Sequence, residues 1–172
     1  DHIVIVELKQ WQKAEVVDDD MHYSVTTFVA NNNRIVCHPS YQAYSYSCFL
    51  IYYSQSISDK NVNLVPCAYL HNFQPEYKQT LSNEIYKDWY SVAPFFIKNE
   101  VKEFSEFVKK YVSRRSSSGD LLYLIDNGRL RPTKALQDSL ASMIKGNQEF
   151  MLLDEQAVCF DMCVKTMLQC QK

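Results

Sequence analysis

Residues 2–8, HIVIVEL, form a β-branched and almost continuously apolar run, and polar side chains enter only at its end, with Glu7 and Lys9. Strict alternation would mark a strand with one wet face. A run like this one marks a central strand covered on both faces, which commits the chain to a sheet with helices packed against it. The sequence opens inside that strand and without Met. It is therefore expected to be part of a longer protein whose preceding segment completes the sheet.

The rest of the chain supplies both strands and helices. Residues 22–30 (HYSVTTFVA) alternate in part and predict a second strand, after a linker carrying Asp18, Asp19 and Asp20. Asn31 to Asn33 make a turn, and Arg34 to Cys37 return as a strand. His38-Pro39-Ser40 opens a helix, with Pro39 at the first helical position, and Tyr41, Tyr44, Cys48 and Ile51 give it an amphipathic stripe through about Gln55. After a turn over Asp59 to Asn63, residues 62–70 (VNLVPCAYL) predict a strand whose Pro66 points to an edge or a bulge. Short helical character follows over 80–90. A helix is predicted over 99–113, with Val101, Phe104, Val108 and Val112 on one face. Ser116, Ser117, Ser118 and Gly119 interrupt the chain. LLYLI at 121–125 reads as a strand, Asp126-Asn127-Gly128 as a turn, and helices follow over 134–145 and 155–169, capped by Thr133 and Asp154. The expected class is α/β or α+β with a mixed sheet.

Composition narrows the function classes. The 172 residues suit one domain with a small appendage, and 47% apolar with 22% charged residues is globular composition. No apolar run approaches the 18 or so residues of a membrane span, and no signal peptide opens the chain, so a cytoplasmic protein is expected. Eighteen basic and twenty acidic residues leave a net charge of −2. Whole-chain charge thus offers no footprint for nucleic acid, and any such binding must come from a local patch. The six cysteines include no CxxC pair. That disfavours zinc and suits reduced core thiols.

Glu7-Leu8-Lys9 is the sharpest chemical signal. Side chains two apart on a strand share a face, so Glu7 and Lys9 project together while Leu8 points away. A carboxylate and an ammonium side by side at a strand end suit metal-assisted phosphodiester hydrolysis. The carboxylate holds a hard cation, and the lysine orients water or steadies phosphorane charge. The same pair also serves as an ordinary strand-end salt bridge. The second signal is Gln42 and Tyr46, whose i, i+4 spacing places an amide and a phenol on one face of the following helix. A polar helix face of purely structural use has the same spacing.

In this order, strand with Glu-x-Lys, further strand, helix with QxxxY, then strand, the chain resembles the PD-(D/E)XK nuclease superfamily and its RecB-like branch. ELKQW (7–11), HPSYQAYSY (38–46) and CAYLHNF (67–73) are similar to the nuclease-like region that precedes the motor in bacterial Schlafen group 3-like DNA/RNA helicases. GRLRPTKAL (128–136) and EFMLLDEQ (149–156) are similar to the segment just before that family's P-loop.

The resemblance implies a restriction-endonuclease-like mixed central sheet flanked by helices over residues 1–115. Residues 116–172 would then be a C-terminal helical extension leading to an ATPase. It implies that Glu7 is a ligand to Mg²⁺ or Mn²⁺ with the Leu8 carbonyl beside it, and that Lys9 is the catalytic lysine. Gln42 and Tyr46 would support the site and contact substrate, and DNA or RNA would be the partner. Trp11 belongs to the family string and is expected to pack. The alternative is a nuclease-derived module without activity that binds nucleic acid or regulates the ATPase; a third reading makes the domain purely structural.

The family takes a further aspartate from the strand before Glu-x-Lys. Six residues of strand place Asp1 about 20 Å from Glu7, and Asp18 to Asp20 suit a solvated turn. No P-loop signature occurs, so the implied ATPase lies downstream. His38 is expected to cap its helix and His71 to be structural. Cys37 and His38 are adjacent in a strand and point apart, which disfavours a nucleophile pair. Lys109, Lys110, Arg114 and Arg115 form the best basic cluster, and Arg129, Arg131 and Lys134 a weaker one.

Overall fold

The computed structural model describes residues 2–17, 22–29, 32–112 and 121–129, together with Cys159, Met162 and Cys163. Asp1, Asp18 to Asp20, Arg114, Arg115, Arg131, Lys134, the serine run and the helices expected over 134–145 and 155–169 lie outside this set, apart from those three residues. The architecture is mixed α and β.

Among the described residues the strands divide into two three-stranded sheets instead of one mixed sheet. The first is parallel, in the order β1 (His2–Lys9), β5 (Asn63–Leu70), β6 (Phe95–Ile97). The second is an antiparallel meander of β2 (Ala14–Val16), β3 (Ser24–Val29) and β4 (Asn32–Cys37). α1 (Pro39–Tyr53) and the short α2 (Gln55–Asp59) carry the chain from the meander back to the parallel sheet. Short helical turns follow β5, among them α3 (Lys78–Leu81) and α4 (Lys87–Val92). α5 (Val101–Tyr111) comes after β6, and α6 (Leu121–Asp126) packs Ile125 into the cluster that Ile57 of α2 forms with Val62.

The expected central strand at 2–8 forms, but it lies at the edge of the described sheet and is half-buried. β5 takes the centre despite Pro66. Ala68, two residues on, sends its N–H to the Pro94 carbonyl at the start of β6. Pro66 faces the same way, at a level where β6 has not begun, so its missing donor removes no ladder bond. LLYLI is helical where a strand was expected. A short apolar run carries no period that separates the two.

The register assigns the faces of the parallel sheet. Ile3, Ile5, Glu7 and Lys9 share one face with Leu64, Ala68, Leu70, Phe95 and Ile97, whereas Leu8, Tyr69 and Phe96 share the other. α5 covers this second face, with Phe104 stacked on Tyr69 at 4.6 Å and Phe107 5.4 Å from Phe96. The side of α5 that packs is therefore Phe104, Phe107 and Tyr111, while Val101 and Val112, expected on that side, are exposed. α1 covers the first face. Its buried residues are mostly small or polar (Ser40, Gln42, Ala43, Ser45 and Ser47), with Tyr41 of the expected stripe buried beside them and Ile51 of that stripe exposed.

Two aromatic residues join the layers. The Tyr86 hydroxyl donates to the Ser24 carbonyl at 2.6 Å and accepts from the Val17 N–H at 3.1 Å. The Trp89 indole donates to the His22 carbonyl. No described helix is long and apolar enough to cross a membrane.

Candidate active site

The end of β1 places Glu7 and Lys9 side by side, as their spacing requires. Lys9 Nζ lies 2.9 Å from Glu7 Oε1, and the two side chains keep only 15% (Glu7) and 14% (Lys9) of their surface exposed. The ammonium also sits 5.1 Å from the Trp11 ring centre, a cation–π distance. Trp11 is buried among Ala14, Val25, Ala68 and Leu70, which is the packing role expected of it. Leu8 turns the other way, 63% exposed. Because alternate residues of a parallel strand bond to opposite neighbours, and Ala68 faces β6, Tyr69 bonds toward β1 and Leu8 directs its carbonyl away from β5.

Gln42 and Tyr46 stand on α1 one turn apart, and the Gln42 amide donates to the Tyr46 hydroxyl at 3.1 Å. Gln42 is buried and Tyr46 half-buried. Two contacts fix the direction in which α1 runs along the sheet. Leu50, near the end of α1, packs into the same cluster as Ile3. His38, at the start of α1, meets Phe95 edge-on, and Phe95 lies in the same row as Ala68 and Glu7. α1 thus runs back along β1 in the opposite direction. Glu7 and Lys9 stand on the face of the sheet that α1 covers.

His38 does the capping work expected of it. Its Nδ1 accepts the Ser40 N–H at 3.2 Å while Nε2 lies 3.1 Å from the Leu81 carbonyl, the arrangement of a neutral ring with the proton on Nε2. Complete burial lowers its pKa from 6.5 to about 4, against a smaller opposing effect of the Leu81 carbonyl. Both nitrogens are occupied, so the ring is no base for Cys37. The described cysteines form no disulfide, and burial in the sheet pushes the Cys67 thiol up to about 12. Cys37 and Cys67 are core thiols, Cys48 is half-buried, and Cys159 and Cys163, expected in the core, are exposed.

Among the described residues no group of three or more His, Cys, Asp or Glu side chains is placed to hold a metal ion. The strand end offers one carboxylate and the Leu8 carbonyl. That donor set suits Mg²⁺, which is commonly held by one or two carboxylates with water completing its shell. Lys109 and Lys110 lie in the last turn of α5, on the face of the sheet opposite Glu7. They are not continuous with the site.

Sequence reasoning passed over a neighbouring feature. An open cleft of about 900 Å³ begins at Leu8 and Lys9 and is lined by the 10–13 loop, Phe28 and Val29 at the end of β3, and the 72–77 segment. The polar run Gln10, Gln12, Lys13 directly after Glu-x-Lys was its one sequence signal. None of the family models, curated proteins or solved structures compared with this chain matches it.

Proposed function

We propose that the chain is a PD-(D/E)XK-type nuclease-like domain of the restriction-endonuclease-like kind, hydrolysing phosphodiester bonds of DNA or RNA in the cytoplasm beside a downstream P-loop helicase-like ATPase. One observation carries the reading: the Glu7–Lys9 pair at the β1 end, with Lys9 lining an open cleft.

The chemistry follows from those groups. A bound Mg²⁺ or Mn²⁺ supplies charge neutralisation and a more acidic water, and the Glu7 carboxylate and Leu8 carbonyl are the oxygens available to hold it. Water adds to phosphorus, the bond to the leaving oxygen breaks, and negative charge gathers on the non-bridging oxygens. Lys9 lies where its ammonium can steady that charge, and its bond to Glu7 keeps it oriented before substrate arrives. Gln42 and Tyr46 brace the site from the helix side. A second reading, a nucleic-acid-binding module without activity, is favoured by the single carboxylate at the strand end.

Cleavage of labelled single- and double-stranded DNA and RNA by the full chain with Mn²⁺ separates the two. The nuclease reading expects cleavage that Lys9→Ala and Glu7→Gln both abolish. Binding without cleavage of any substrate supports the second reading.

A further inference from the structure

The geometry points to the cleft beside Lys9 as a binding groove for single-stranded nucleic acid, with Phe28 and Tyr77 as its stacking surfaces. This rests on the proposed phosphodiester site and names the form of substrate that reaches it. Phe28 is 55% and Tyr77 38% exposed, and both line the cleft. Large rings left open to water in a walled cleft offer π-faces that only unpaired bases can use, because in a duplex those faces are already stacked. Gln10, Gln12, Asn72 and Gln74 also line the cleft, and a side-chain amide carries both donors and an acceptor suited to exposed base edges.

Charge argues the same way. A duplex is held through many phosphate contacts on a broad basic surface. This cleft has two lysines, Lys9 and Lys13, the first engaged by Glu7, and Glu76 adds a carboxylate to the same lining. That is too little for a duplex backbone and enough to guide one strand whose affinity comes mainly from stacking.

The walls are also fixed in advance. The Gln74 N–H donates to the Gln12 carbonyl at 2.9 Å, tying the 72–77 segment to the 10–13 loop. The Thr27 hydroxyl donates to the Lys13 carbonyl at 2.7 Å, tying that loop to β3. A preformed groove loses little conformational freedom when a flexible strand enters.

Fluorescence anisotropy of labelled oligodeoxythymidine, oligouridine and a matched duplex, in chelator and without divalent ions, tests this independently of cleavage. The full chain is expected to bind at least one of the two single strands more tightly than the duplex. Phe28→Ala with Tyr77→Ala is expected to weaken that binding by about tenfold or more, with the circular dichroism spectrum unchanged. Equal binding by wild type and the double variant, a preference for duplex, or no single-strand binding overturns the inference. Cleavage of duplex by a double variant with undiminished binding would overturn it while leaving the nuclease reading intact. Single-strand binding that depends on the two rings, without cleavage, would sustain the groove and sink the nuclease.

Discussion

Two polar constellations flank the same helix, and they are built on opposite principles. At the start of α1, His38 is wholly buried with both ring nitrogens occupied, and its ring stacks on Tyr86 at 4.7 Å. Tyr86 in turn ties the helical segment to Ser24 and Val17. At the edge strand β1, Glu7 and Lys9 form an ion pair with each other, and Lys9 lines a cleft. Complete burial with every polar atom paired contributes stability and leaves nothing for a ligand. A largely buried ion pair contributes little net stability because desolvation offsets its attraction, and it keeps chemistry available. The difference separates the joint that holds the fold from the candidate site.

The sharpest way to break this comparison is acid. The unfolded His38 titrates near 6.5 and the folded one near 4, so between those values the unfolded chain binds more protons and stability falls as pH falls. The loss is fully developed below pH 4 and amounts to about 3 kcal/mol for a shift from 6.5 to about 4. The groups packed on the ring are the Leu81 carbonyl and the rings of Tyr86 and Phe95, none of which titrates in that window. Urea unfolding of wild type and His38→Gln from pH 7 to 4 checks it: the wild type should lose the extra stability and the variant should not. Parallel profiles would dismantle the assignment of His38 as a buried neutral cap.

Tyr86→Phe comes next. It strands the Ser24 carbonyl and the Val17 N–H and is expected to cost about 2 kcal/mol at neutral pH, read by the same unfolding curves. The smallest stability effect belongs to the other constellation. Glu7→Gln combined with Lys9→Met, which removes both partners of this largely buried pair together, is expected to change unfolding free energy by about 1 kcal/mol while removing all metal-dependent cleavage. A loss as large as that of Tyr86→Phe would make the Glu7–Lys9 pair a structural bridge and erase the contrast.

Much of this arrangement was legible in the sequence, for physical reasons that also explain the misses. The β-branched run at 2–8, Pro39 after His38 and the strand at 62–70 are strong local signals, and they place the site's elements. Strand parity gave the Glu7–Lys9 pair, and the i, i+4 rule gave Gln42 with Tyr46. β2 and β6 are three residues each, too short for any period to register, so the division into two sheets was not readable. Of the expected stripe on α1, Tyr41 is buried, Tyr44 and Cys48 are half-buried and Ile51 is exposed, because the close approach of the helix to the sheet selects Ser, Ala and Gln over large apolar side chains. The cleft escaped because its walls come from three segments that only tertiary folding brings together.

The parallel register has a consequence for the order of assembly. His2 faces Asn63 and Lys9 faces Leu70, so β1 finds its partner only after a loop of roughly sixty residues has closed. The antiparallel meander closes over a handful of residues and is expected to collapse sooner. Until β5 arrives, the strand end bearing Glu7 and Lys9 has no paired neighbour and α1 has no sheet to pack on. The candidate site is therefore a late product of folding, and a chain caught midway has its scaffold under construction but no chemistry to offer.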